Sequence, residues 1–417
     1  MITSRFLLFL TSVSILVVVS MGACIHAAGP LPDEKSKPLF PIFENGKYGY
    51  IDQAGKVAIK PQFDMAKRFS EGLARVKVGD KWGFIDQTGK MLIQPQFDSD
   101  PYDHGNDSRN DFHEGMAAVT LDKGRKWGYI DKKGKMIIAP EYGLAESFSE
   151  GMATVYLEYP VFLIRPGSPT PVLHSWYIDE KGSRLKFQIV GETFSEGLAV
   201  ADRGRDESRK EGYIDKTGQF RIEPQFSIAR SFHEGLACVR PGNTNDYGYI
   251  DKTGKMVISL PHVPGDSGPG DFSEGLALMQ GRVSGEFGFI GKTGAFAIEP
   301  RFWMAGRFSD GVAGACVEDK TANSGEGGVT CGYIDRTGQW IIQWFIKAAD
   351  FGAMSDFYEG LALVCGKDFC GYINKKGQYV WRSTEILENQ HFDPTSLVGC
   401  TLWNWPNPEY GKDYCRN

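Results

Sequence analysis

The chain is written in short apolar blocks separated by polar turns, and the blocks recur. From Trp82 to Ile85 the residues alternate with the period of two expected of a strand: Trp82 and Phe84 on one face, Gly83 and Ile85 on the other. Asp86-Gln-Thr-Gly89 follows, with an aspartate that can bond back to the backbone and a glycine for the positive-φ position of a hairpin turn. Met91 and Ile93 begin a further strand, and Pro95 stops it where ladder hydrogen bonds should end. Upstream, the Leu73 to Val76 block supplies another strand. The pattern predicts a three-stranded antiparallel meander. Both faces of its central strand are apolar or aromatic, so each sheet must be covered on both sides.

The same block returns at Tyr48–Gly55, Trp127–Gly134, Glu211–Gly218, Tyr247–Gly254, Phe287–Gly294, Cys331–Gly338 and Cys370–Gly377, with a degenerate copy at Ser175–Gly182 that has Trp176 in the first glycine slot. Its central isoleucine is present in all nine copies: Ile51, Ile85, Ile130, Ile178, Ile214, Ile250, Ile290, Ile334 and Ile373. A second signature, Phe69-Ser-Glu-Gly-Leu-Ala74, recurs from Phe112, Phe148, Phe194, Phe232, Phe272, Phe308 and Phe357. The unit is therefore about 34 residues plus insertions, the mark of a repeat architecture.

These units resemble the WG repeat, a bacterial tandem repeat named for its Trp-Gly pair, which survives literally at Trp82-Gly83 and Trp127-Gly128. The resemblance covers roughly residues 46–381. It implies a binding or scaffold protein and brings no shared catalytic residues. The expected fold is all-β: three-stranded meanders stacked as an open curved or superhelical array, with a closed propeller-like ring as the alternative. Nine copies exceed the usual four to eight blades of a propeller. The expected organisation is a signal peptide over 1–27, a linker over 28–45, nine repeats over 46–381 and a disulfide-bearing cap over 382–417. In an open stack, the tail aromatics Trp381, Phe392, Trp403, Trp405, Tyr410 and Tyr414 would shield the last exposed face.

Composition agrees. Glycine reaches 51 of 417 residues, and the repeat signatures alone account for about half of them. With 46 Lys+Arg against 52 Asp+Glu, the charge of −6 argues against nucleic acid, which calls for a basic surface. Residues 1–28 carry Arg5, an apolar run from Phe6 to Val19 and small residues after it, the pattern of a secretory signal. The run is too short to span a membrane. Cleavage after Ala27 competes with lipidation at Cys24, since Gly22-Ala23-Cys24 resembles a lipobox. The location expected is periplasmic, cell-surface or extracellular.

Chemistry is sparse. The Asp-Lys-Thr-Gly turns at Asp215 and Asp251 echo a phosphorylated aspartate motif but read as hairpin turns. The aspartate row (Asp52, Asp86, Asp131, Asp179, Asp215, Asp251, Asp335) offers one carboxylate per unit, short of a calcium site. A second acidic row, Glu71, Glu114, Glu150, Glu196, Glu234, Glu274, Asp310 and Glu359, reads as turn chemistry or an acidic edge. Aromatics at Tyr48, Trp82, Trp127 and Tyr247 are core packing or a sugar-stacking stripe. No catalytic, cofactor or metal residues are expected. The insertions Asp98–Asp111, Glu158–His174, Leu260–Gly270 and Glu318–Thr330 enter at two places in the unit and should build two borders, where function would gather. Three functions follow: a non-enzymatic binding or scaffold protein for a protein or glycan; an envelope hydrolase using Asp103, His104, Asp107 or His391; or a structural spacer or adhesin.

Cysteines give the sharpest expectation. Cys316 and Cys365 each lie eight residues after the signature phenylalanine, and Cys331 and Cys370 both take the aromatic slot of the next strand. One cross-strand pair is thus replaced twice, predicting disulfides Cys316–Cys331 and Cys365–Cys370, with Cys400–Cys415 closing the tail in an oxidising compartment. Cys238, two residues earlier in the frame and with Tyr247 opposite, should stay a free buried thiol.

Overall fold

The computed structural model describes residues 37–99, 110–157, 175–185, 193–202, 210–242, 246–263, 268–282, 285–318, 328–347, 351–366 and 369–383. Unit 2 shows the plan: an entry strand Met65–Ser70, a second strand Leu73–Val78, a middle strand Lys81–Asp86 and a return strand Met91–Phe97, hydrogen-bonded in that order. All pairings are antiparallel, with Ala74 opposite Ile85 and Val76 opposite Gly83. The meander thus has the three expected strands and gains a short fourth at its entry, seen again at Met304–Ala305 and Phe351–Met354. In one place the strand Phe220–Ala229 ends the sheet of unit 5 and begins that of unit 6.

The glycine after the aromatic slot is forced by this path. The return strand bulges at its Ile-x-Pro segment and leans over the middle strand. A Cβ on Gly49 would lie 2.6 Å from both the Ile59 oxygen and the Pro61 nitrogen, and one on Gly83 would lie 2.5 Å from the Ile93 oxygen. Unit 4 carries Trp176 at that position. There the middle strand Ser175–Asp179 forms, and on its return side the described residues, which run to Leu185, make an isolated bridge from Ile178 to Arg184.

Each unit packs against the next through an aromatic pair. The middle-strand ring of one unit meets the signature phenylalanine of the following one: Tyr50–Phe69 at 5.0 Å between centroids, Phe84–Phe112 at 4.9 Å, Tyr213–Phe232 at 4.8 Å, Tyr333–Phe357 at 4.6 Å. The hydroxyls of Tyr50, Tyr129, Tyr213, Tyr249 and Tyr333 donate onward to a carbonyl, as Tyr50 does to that of Lys67 (2.7 Å). Burial leaves these hydroxyls almost no water contact, so the bond satisfies a group that would otherwise be stranded.

The array closes on itself. Tyr372 of unit 9 lies 5.5 Å from Phe40 of unit 1 and donates to the Pro41 carbonyl at 3.0 Å. Trp381 Nε1 donates to Glu44 Oε1 at 2.7 Å, and Gln53 Nε2 to the Glu359 carbonyl at 2.6 Å. Of the two arrangements left by the sequence, the propeller-like ring is therefore the one formed, not the open stack. The reason is burial: an open stack leaves an apolar sheet face at each end, and closure packs one against the other. Unit 1 lacks the Phe-x-Glu-Gly signature, and Phe40, standing where other units have alanine, supplies the ring instead. The face that called for a terminal cap is covered by unit 1, and residues 384–417 lie outside the described residues.

Two substitutions test this construction by urea denaturation. Gly83→Ala should lose about 1–3 kcal/mol, because the colliding atoms are backbone and cannot turn aside. Gly291→Asp should gain about 1 kcal/mol, since Gly291 fills the turn slot held by aspartate in seven units and by Asn374 in unit 9, and its Cβ would meet nothing within 4 Å.

Candidate binding faces of the ring

Leu73 pairs with Asp86, so the Phe-x-Glu-Gly hairpin and the Asp-x-x-Gly turn of a unit sit at the same end of its sheet. This end is one face of the ring, and its aspartate turns and most of its hairpins have their polar groups engaged. In the Asp turn, Asp86 Oδ1 accepts from the amides of Thr88 (2.9 Å) and Lys90 (3.1 Å) and from Thr88 Oγ1 (2.6 Å). Asp52, Asp131, Asp179, Asp215, Asp251 and Asp335 repeat the amide bonds. Burial pushes the Asp86 and Asp215 carboxyls up, but the turn's hydrogen bonds outweigh it and hold them below the usual aspartate value. The aspartates are turn braces, and among the described residues no group of three or more His, Cys, Asp or Glu is placed to hold a metal.

The second acidic row does something the sequence did not reveal. From Glu71 to Asp310, each carboxylate reaches across to the hairpin of the next unit and accepts from its backbone amides. Glu114 and Gly115 donate to the two Glu71 oxygens at 2.6 and 2.9 Å, and Glu150 and Gly151 to those of Glu114 at 2.5 and 2.7 Å. Gly197, Gly235, Gly275, Gly311 and Gly360 continue the ladder onto Glu150, Glu196, Glu234, Glu274 and Asp310. The geometry depends on unusual backbone: Glu71 has φ 50° and Gly72 φ 84°, both positive, as a two-residue type I′ hairpin requires. A non-glycine residue in that region is strained by about 1–2 kcal/mol. The charge-assisted link to the neighbour offsets that strain.

Lysines from the following turn complete the ladder, with Lys132 at 3.1 Å from Glu71, Lys252 at 3.0 Å from Glu196 and Lys292 at 3.2 Å from Glu234. For Glu71 and Glu196, burial pushes the carboxyl up, yet the glycine amides and the lysine outweigh it and leave each below the usual glutamate value. His113 and His233 stand in the serine slot of the hairpin, and His233 Nε2 lies 3.8 Å from Asp271.

The remaining strand ends point to the opposite face. A meander that turns twice at one end must make its other connections at the other, so the second-to-middle loops and the return-to-entry links share a face. Both entry positions foreseen from the sequence, after the second strand and after the return strand, therefore lie at this end of the sheets. The strand ends Phe97, Tyr156, Leu260 and Glu318 all deliver their insertions to it. Asp103, His104, Asp107 and His391 lie outside the described residues.

Tyr48, Trp82, Trp127 and Tyr247 are buried, between 1% and 3% exposed, which makes them core and not a sugar-stacking stripe. Cys316 faces Cys331 and Cys365 faces Cys370 across their strands, and each pair forms a disulfide. Cys238 is a free buried thiol, pushed up to about 12 by burial. The residue opposite it is Tyr249, not Tyr247, because the frame shift of two residues applies to both strands. Cys24, Cys400 and Cys415 lie outside the described residues.

A closed ring of antiparallel β-meanders, linked unit to unit and free of helices among the described residues, defines an all-β repeat protein of propeller-like fold. The WG-containing repeat model matches residues 48–82, 82–99, 127–158, 212–243, 247–260, 287–320 and 332–368, and the chain belongs to that repeat family. Comparison with curated proteins gives no match. Among solved structures, a eukaryotic initiation factor is similar with a TM-score of 0.52 at 8% identity, over 83% of this chain and 96% of that one. At that identity the likeness is one of fold alone. The WD40 domain of SCAP from fission yeast aligns at TM-score 0.34 and 8% identity over 83% and 96% of the two chains, and Hsv2p of Kluyveromyces lactis at 0.36 and 11% over 63% and 89%.

The ladder has a pH signature. Because the folded carboxyls of Glu71 and Glu196 lie below their unfolded value of about 4.5, their contribution is complete above that pH. It is lost as pH falls through the folded values. Melting temperature should hold between pH 7 and 5 and fall below about 4.5, and Glu196→Gln should flatten the acid limb while lowering stability at pH 7 by about 1–3 kcal/mol.

Proposed function

We propose that this protein is an exported, non-enzymatic binding or scaffold platform that engages a protein or glycan through the insertion-bearing face. The observation that supports this reading is the division of labour between the faces: one uses its carboxylates to hold units together, while the strand ends that lead into the insertions lie on the other. Loops raised on a rigid frame are where binding surfaces arise. Export rests on the leader-like residues 1–27 and on two disulfides, which persist in oxidising compartments. Cys24 is the point at which a lipid anchor would attach. No described helix is long and apolar enough to cross a membrane.

The direct test is pull-down from cell-envelope extracts with the whole chain and with variants shortened across 100–109 and 158–174. Loss of specific partners from the shortened forms, with the melting temperature kept, is the expected result; full recovery of every partner would remove the loop face from consideration. Thiol trapping in intact cells tests the compartment. Cys316, Cys331, Cys365 and Cys370 should resist alkylation without reductant, while Cys238 should react only after denaturation. Four reactive thiols would place the protein in a reducing environment.

A further inference from the structure

The carboxylate ladder is interrupted at one place, and the interruption has the chemistry of a binding site. Seven consecutive contacts each set a carboxylate of one unit on a glycine amide of the next, from Glu71 on Gly115 to Asp310 on Gly360. Aligning Leu39 with Leu73 puts Lys37 where the other units have their acidic residue and Pro38 where they have glycine. Lysine offers no carboxylate to the Gly72 amide, and proline has no N–H to give Glu359. Among the described residues, therefore, the amides of Glu71 and Gly72 meet no acceptor, and the Glu359 carboxylate meets no donor. The backbone at Glu71 and Gly72 nevertheless keeps the positive φ values, 50° and 84°, that aim those amides in every other unit.

The side chains at the seam differ from those elsewhere in the ring. Tyr358 replaces the small hairpin serine and lies 6.4 Å from Phe40. Arg68 of unit 2 stacks over the Tyr358 ring of unit 9 at 4.9 Å, so its guanidinium borders the seam from the unit 2 side. Its Nε is buried without a hydrogen-bond partner. An unpaired guanidinium nitrogen and two aligned amides are both donors seeking an anion.

We propose that the seam between units 9 and 2 is a docking site for a protein segment carrying an acidic side chain at a tight turn, which would enter as the hairpin unit 1 lacks. The ring itself supplies the template: seven times over, a glutamate or aspartate carboxylate occupies the equivalent amides. The site lies on the turn face, opposite the insertions, and stands or falls independently of the loop-face reading.

The test uses the full chain and a fluorescently labelled, end-blocked hexapeptide Phe-Ser-Glu-Gly-Leu-Ala. Saturable one-to-one binding is expected. It should weaken at least tenfold when the peptide glutamate is replaced by glutamine and at least tenfold in Arg68→Gln. If Arg68→Gln fails to fold, the amide signal of Gly72 in the wild-type protein, followed by NMR during titration, reads the same contact. Absence of saturable binding, equal affinity for the glutamine peptide, or an unmoved Gly72 signal would each overturn the proposal.

Discussion

No unit of this protein can cover its own sheet. The middle strand is apolar on both faces, and a meander of about 34 residues has no layer of its own to lay against either. Everything else follows from that deficit. The aromatic ring on the middle strand finds its partner on the hairpin of the following unit, tyrosine hydroxyls find carbonyls there, and the last unit finds the first. Ring closure is thus the same interface made once more, with Phe40 standing in for a phenylalanine that unit 1 does not possess.

The carboxylate ladder shows local strain and long-range contact offsetting one another. A glutamate held at positive φ would be a poor choice in an isolated hairpin, where asparagine or glycine suits the turn better. It is tolerated because the same turn aims its carboxylate at the neighbour's amides, at 2.5–3.0 Å along the row. The individual ion pairs from lysine are partly exposed and each contributes little. Their repetition around the ring, with the hydrogen bonds beneath them, sets the spacing of the units on this face.

What the sequence reveals depends on how far apart the interacting residues lie. The Asp-x-x-Gly turns are legible because the aspartate bonds amides two and four residues on. The alternation of Trp82, Gly83, Phe84 and Ile85 is legible for the same reason, and the repeated cysteine slot shows which strands face each other. The role of Glu71 is hidden because its partner lies 44 residues away in a different unit. Ring closure is hidden more deeply, since the turn per unit that decides it accumulates from packing and leaves no single signature.

Eight of the nine interfaces join units that are neighbours in the chain, whereas the ninth joins Tyr372 to Pro41, 331 residues apart. Bringing such distant ends together costs about 2 kcal/mol more in chain entropy than a contact across ~40 residues, if each doubling of the loop adds about 0.6 kcal/mol. That difference vanishes once the intervening units are docked, because the growing curve carries the two ends toward each other. The chain can therefore assemble as a zipper, unit upon unit, with its longest-range contact made last and most cheaply. A fold whose contacts look non-local on paper would then be built by a succession of short steps.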